Sequence, residues 1–117
     1  MLRRILVVDD DADTREVVAA IFAEEGVHPV CVSSAAEAIE ATQHFTPCLI
    51  LADNRMPDVL GEDLLTQLRS NPRLSNLPMV LMTGDRVAAE ALAKRGIRVL
   101  AKPFSIDDVL ALARTCR

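Results

Sequence analysis

The sequence predicts an α/β fold: one doubly wound, five-stranded parallel sheet with helices on both faces. Three observations predict it. Five short apolar runs recur along the chain, and the segments between them carry apolar residues at helical spacing. The runs are continuous rather than alternating, as strands buried on both faces require. Strands that alternate with helices need right-handed crossovers, which make neighbouring strands parallel.

The elements follow in order. A strand near Arg4–Val8 leads to a helix that Asp11 or Asp13 can cap, in which Val17, Val18, Ile21 and Phe22 share a face. Gly26 ends that helix as a C′ glycine. A second strand covers about Pro29–Val32, and Ser34 with Glu37 forms a capping box for a helix burying Ala38 and Ile39. Pro47 precedes a third strand at about Cys48–Ala52. A loop with Met56-Pro57 then opens a helix with Leu60, Leu64, Leu65 and Leu68 on one side. Pro72 and Pro78 mark the connection to the fourth strand, Met79–Met82. The helix of roughly Arg86–Lys94 buries Val87, Ala88, Ala91 and Leu92 and stops at Gly96. Val99–Ala101 is the fifth strand. Ser105 with Asp108 boxes a last helix that buries Ile106, Val109, Leu110 and Ala113.

At 117 residues the chain fits one domain, 1–117, with no linker and no second domain expected. Half of its residues are hydrophobic, enough for a core without disulfides or structural metal. The net charge of −4 argues against a nucleic-acid surface. Arg3 and Arg4 precede an apolar run too short for an export signal, and no membrane span follows. The three cysteines, Cys31, Cys48 and Cys116, lie far apart and are odd in number, which reads as free thiols in a reducing cytoplasm.

In a parallel sheet the carboxyl ends of the strands lie along one edge, where open α/β folds place their sites. Here that edge collects Asp9, Asp10, Asp53, Thr83 and Lys102. Three carboxylates together raise one another's pKa and persist as anions only beside a cation. Mg²⁺ suits them, since it takes one or two carboxylates plus phosphate oxygens. Helix capping accounts for Asp11 or Asp13 but leaves Asp9 and Asp10 over. Asp53, taken alone, is equally a solvated turn residue and an exposed nucleophile. Thr83 offers a hydroxyl, and Gly84 lets a backbone N–H reach a phosphoryl oxygen. Lys102 places an ammonium after an apolar strand, where an anion would meet it.

The chain resembles the receiver domain of two-component response regulators over essentially its whole length. The match is carried by Ile5-Leu6-Val7-Val8-Asp9-Asp10, by Asp53 with Met56-Pro57, by Thr83-Gly84 and by Lys102-Pro103-Phe104. The resemblance implies a flavodoxin-like sheet of order 2-1-3-4-5. It implies that Asp53 is the phosphoacceptor for a sensor histidine kinase or phosphotransfer protein. It implies Mg²⁺ held by Asp10, Asp53 and the backbone carbonyl of Arg55, with Asp9 acting through a water. Thr83 would be the switch hydroxyl and Lys102 the phosphoryl-pairing lysine, with a cis bond to Pro103. Arg55 and Asp85 stand where the family tunes phosphoryl lifetime. Met56, Pro57 and Phe104 read as structure, and His28 and His44 have no partner at ligand spacing.

Two departures stand out. Val99 occupies the place where the family often has a reporting Tyr or Phe, and the chain has neither Tyr nor Trp. The stretch from Thr83 to Lys102 is shorter than usual, which is expected to weaken dimerisation through the fourth helix. The resulting expectation is a cytoplasmic phosphoacceptor that passes a signal to a downstream protein by conformational change and is no enzyme beyond its own phosphorylation and dephosphorylation. Two rivals are an unphosphorylated adaptor and a phosphatase of the haloacid dehalogenase type, with Asp9 and Asp11 as its acidic pair. A flavin binder lacks both its aromatic residues and its phosphate loop.

Overall fold

The computed structural model describes residues 3–116. Its elements are β1 (Arg4–Val8), α1 (Ala12–Glu24), β2 (His28–Val32), α2 (Ala35–His44), β3 (Leu49–Asp53), α3 (Gly61–Arg69), β4 (Met79–Thr83), α4 (Arg86–Lys94), β5 (Arg98–Ala101) and α5 (Ile106–Ala113). The five strands form one parallel sheet in the order β2-β1-β3-β4-β5.

Because side chains alternate across a strand, each central strand feeds two cores. Ile5, Val7, Leu49, Leu51, Val80 and Met82 face Val18 and Phe22 of α1 and Val109, Leu112 and Ala113 of α5. Leu6, Val8, Ile50, Ala52, Met79 and Leu81 face Ala35 and Ala38 of α2, Leu64, Leu65 and Leu68 of α3, and Leu92 of α4. Two helices therefore cover one face and three the other. The edge strand β2 is only partly buried, so its apolar run does not mark two covered faces.

Helix ends follow local chemistry. Asp11 caps α1 by accepting from Asp13 N–H, and Gly26 follows that helix at φ +74°. Ser105 and Asp108 complete the capping box of α5. The box expected at α2 is only half formed. Ser34 accepts from Glu37 N–H, but the Glu37 carboxylate turns to the N–H and hydroxyl of Ser33 instead.

Four helix-face expectations are corrected. Val17, Val87 and Ile106 are 54%, 75% and 64% exposed, and Ala91 is exposed as well. Helical spacing alone cannot fix where the centre of the buried stripe falls: Val87, for example, lies about 140° around α4 from its buried residue, Leu92. Leu60 is likewise half outside: it precedes α3 and is 44% exposed.

The cysteine reading is also corrected. Cys48 and Cys116 are joined in a disulfide, their Cα atoms 5.2 Å apart, and only Cys31 is free among the described residues. The fold returns the end of the chain after α5 to the foot of β3. A sequence separation of 68 gave no sign of that meeting.

Candidate functional site

Sheet register builds the site. Val8 lies opposite Ala52, so Asp9 and Asp53 come next on adjacent strands. Thr83 lies opposite Ala101, so Lys102 comes next beside it. Strands stand about 4.8 Å apart, which brings these side chains within reach of one another.

Lys102 Nζ is 3.2 Å from Asp9 Oδ2 and 3.2 Å from Asp53 Oδ1. Carboxylate oxygens of Asp9, Asp10 and Asp53 lie within 4.8 Å of one another, a donor set that could hold a metal ion. Their exposure differs. The Asp9 side chain is 1% exposed and that of Asp53 is 15%, so of these two only Asp53 is open to an incoming group. Asp10 is exposed at the rim.

The charges are unbalanced. Burial, and then the neighbouring Asp9 and Asp10 carboxylates, raise the Asp53 pKa above its ordinary value against the pull of Lys102. Burial pulls Lys102 down, but the Asp53 and Asp9 carboxylates outweigh it and hold the ammonium above its ordinary pKa. One ammonium thus serves two carboxylates, with Asp10 beside them. A hard cation fits such a set of oxygens, because it would relieve the repulsion.

The remaining members are placed as expected. Thr83 is buried, and its Oγ1 accepts Asp85 N–H at 3.1 Å, which leaves its own proton free to donate. The Lys102–Pro103 bond is cis. Arg55 reaches Asp85 across the mouth, Nη2 to Oδ2 3.8 Å, with both side chains largely in solvent. Met56 packs against the core under α2 and α3, and Phe104 against the core under α1 and α5. Val99 is half-buried against the α2–α4 side. Gly84 is exposed, and a Cβ there would make only ordinary contact with Lys102, at 3.7 Å.

Four supporting residues escaped the sequence reading. Asp58 Oδ2 accepts Ala36 N–H at 3.1 Å and its Oδ1 accepts Ala35 N–H at 3.4 Å, tying the loop after Asp53 to the start of α2. Desolvation is the largest single influence and raises the Asp58 carboxyl, but the backbone amide bonds together outweigh it and hold that carboxyl below its ordinary pKa. Arg15 donates to the Asp9 carbonyl at 2.6 Å. Asn54 is buried, its Oδ1 without a hydrogen-bond partner among the described residues. Gly61 passes so close to β3 that a Cβ on it would lie 2.5 Å from the Asp53 carbonyl oxygen. In the sequence it is only a glycine between Leu60 and Leu64-Leu65, a signal that does not by itself reveal a close approach.

The sequence model of the response regulator receiver domain family matches residues 5–114. The chain belongs to that family. This receiver domain is 35% identical over 116 residues to Response regulator Rre1 of Synechocystis sp., covering 94% of this chain and 49% of that protein. It therefore spans about half the length of that relative. Among solved structures it superposes on the chemotaxis response regulator CheY4 of Vibrio cholerae with TM-score 0.88 at 22% identity, covering 98% and 99% of the two chains, a likeness of fold. It superposes on the beryllofluoride-activated NtrC4 receiver domain dimer with TM-score 0.83 at 29% identity, covering 95% and 93%. The strand order 2-1-3-4-5 is the one shared with these receivers. No described helix is long and apolar enough to cross a membrane.

Proposed function

We propose that this receiver domain takes a phosphoryl group from the phosphohistidine of a sensor histidine kinase or phosphotransfer protein onto Asp53. The observation that carries the reading is the position of Lys102 Nζ, 3.2 Å from both Asp9 and Asp53, beside a three-carboxylate donor set. An Asp53 carboxylate oxygen attacks phosphorus, the P–N bond breaks, and the neutral imidazole leaves after taking a proton. Phosphoryl transfer of this kind needs positioning and charge neutralisation more than covalent machinery. The greater exposure of Asp53 over Asp9 favours it over the phosphatase alternative, which needs Asp9 as nucleophile.

Mg²⁺ is the cation we assign; Asp10, Asp53 and the Arg55 backbone carbonyl would hold it, and Asp9 would act through a water. When bound it supplies charge neutralisation for the phosphoryl oxygens. Lys102 pairs with one phosphoryl oxygen, and the free proton of Thr83 goes to another. Drawing Thr83 toward the phosphoryl group pulls on Asp85 N–H and so on the start of α4, since Asp85 also caps that helix. That movement is the signal passed to a downstream protein. With no aromatic at Val99, the loop and α4 carry it.

The domain catalyses only its own phosphorylation and dephosphorylation, and this domain contacts no nucleic acid. The Cys48–Cys116 pairing removes the redox argument for a reducing compartment, so a cytoplasmic location rests on the kinase partnership. The test is phosphorylation by acetyl phosphate with Mg²⁺ or with a chelator. We expect chelation to abolish the gain in mass; Mg²⁺-independent phosphorylation would count against the metal assignment.

The Arg55–Asp85 pair bears on lifetime. Bridging the mouth, it hinders the water that would hydrolyse the aspartyl phosphate. An exposed pair is worth about 0–1 kcal/mol, so Arg55→Ala should dephosphorylate up to about fivefold faster. Decay of the isolated phosphoprotein, followed by intact mass, checks this, and slower decay in the variant would refute it.

A further inference from the structure

A cavity of about 500 Å³ opens between α3 and the starts of β4 and β5, away from Asp53. Its volume falls in the range of small-molecule sites, roughly 300–1,000 Å³. The floor is apolar: Leu65 and Met79 are buried, Pro78 and Ile97 half-buried. The rim carries three guanidinium groups, Arg69, Arg95 and Arg98, against a single carboxylate, Glu62. This is an excess of positive charge on a chain whose net charge is −4.

The three arginines are not equally engaged. Arg95 is paired with Glu62. Arg69 spends one N–H on the Ser75 carbonyl at 3.0 Å, which leaves its other donors free. Arg98, exposed at the start of β5, has no ion-pair partner among the described residues. Guanidinium groups offer planar forks that match phosphate and carboxylate oxygens. An apolar floor under such a rim selects a ligand with both characters.

We infer that this cavity binds a small organic anion, its apolar or aromatic body lying on Leu65, Met79 and Ile97 and its phosphate or carboxylate held by Arg98 and Arg69. Glu62 is the internal competitor. It occupies Arg95 and repels an incoming anion, so its charge sets a ceiling on affinity. The inference is independent of the chemistry at Asp53.

The test is a titration of the isotope-labelled chain with phenyl phosphate, followed by amide resonances, with inorganic phosphate as the charge-only comparison. Saturable shifts are expected at Leu65, Gly96 and Ile97, with a dissociation constant of roughly 1 mM. Arg98→Ala should weaken binding by at least about fivefold. Glu62→Gln should tighten it by about threefold or more, since it frees Arg95 and removes a like charge. The two variants move affinity in opposite directions, which a loss of folding does not imitate. Shifts confined to Thr83 and Gly84, an unchanged affinity in Glu62→Gln, or equal binding of inorganic phosphate would each overturn the inference.

Discussion

Lys102→Ala should slow phosphorylation of Asp53 by about 100-fold, the usual loss when one preorganised group facing developing charge is removed. It should also strengthen Mg²⁺ binding. The two effects have opposite signs because Lys102 has two roles. It pairs with the phosphoryl group in the reaction, yet beforehand it sits 3.2 Å from the Asp9 and Asp53 carboxylates, two of the proposed metal-binding residues. Removing the ammonium leaves those anions to the metal alone. Initial rates with acetyl phosphate at saturating Mg²⁺ measure the first effect, and a Mg²⁺ titration measures the second. A variant that loses both rate and Mg²⁺ affinity would mean that Lys102 organises the site rather than pairing with the phosphoryl group.

The second large effect concerns Gly61. A Cβ there would stand 2.5 Å from the Asp53 carbonyl oxygen, 2.8 Å from Leu81 Cδ2 and 2.9 Å from Asn54 Cα. Two of these three contacts are backbone, so α3 or the end of β3 must move. Overpacking of this kind costs roughly 1–3 kcal/mol, and the entropic gain of Gly→Ala, about 0.4–1 kcal/mol, offsets only part of it. Gly61→Ala should therefore lower Tm by several degrees, about 4 °C for each kcal/mol in a domain near this size. Because the displaced atoms flank Asp53, it should slow phosphorylation too. Gly84→Ala is the comparison. Its Cβ would meet only Lys102 at 3.7 Å, an ordinary contact, so its Tm should shift by less than about 2 °C. Equal melting of the two variants would show that α3 does not press on β3 as described.

What the sequence made legible is the part of the fold governed by short-range patterns. Apolar runs marked the strands to within a residue or two, and the start and end of α4 at Arg86 and Lys94 are those expected. The acidic and basic residues after those runs had to converge once the strands were parallel, so Asp9, Asp53, Thr83 and Lys102 were readable as a group. The misses share another cause. Asp58 reaches 22 and 23 residues back to α2, and Cys116 meets Cys48 across 68. Gly61 is needed for an approach to a different strand end. None of these leaves a local pattern, because each depends on how layers stack rather than on how a segment folds. Val17, Val87 and Ile106 fail for a related reason: an apolar residue at helical spacing marks a face, but only packing decides how wide the buried part of that face is.

That same contrast explains why the site was more readable than its supports. The reacting groups need particular chemical types at strand ends, whereas Asp58, Arg15 and Gly61 act through backbone contacts that many sequences could make.

The central claim is that Asp53 accepts the phosphoryl group. It is tested most directly by intact-mass spectrometry of the wild type and of Asp53→Ala after incubation with Mg²⁺ and acetyl phosphate. We expect the mass of one phosphoryl group to be added to the wild type and nothing to be added to the variant. A gain that survives the substitution would place the acceptor elsewhere and contradict the claim.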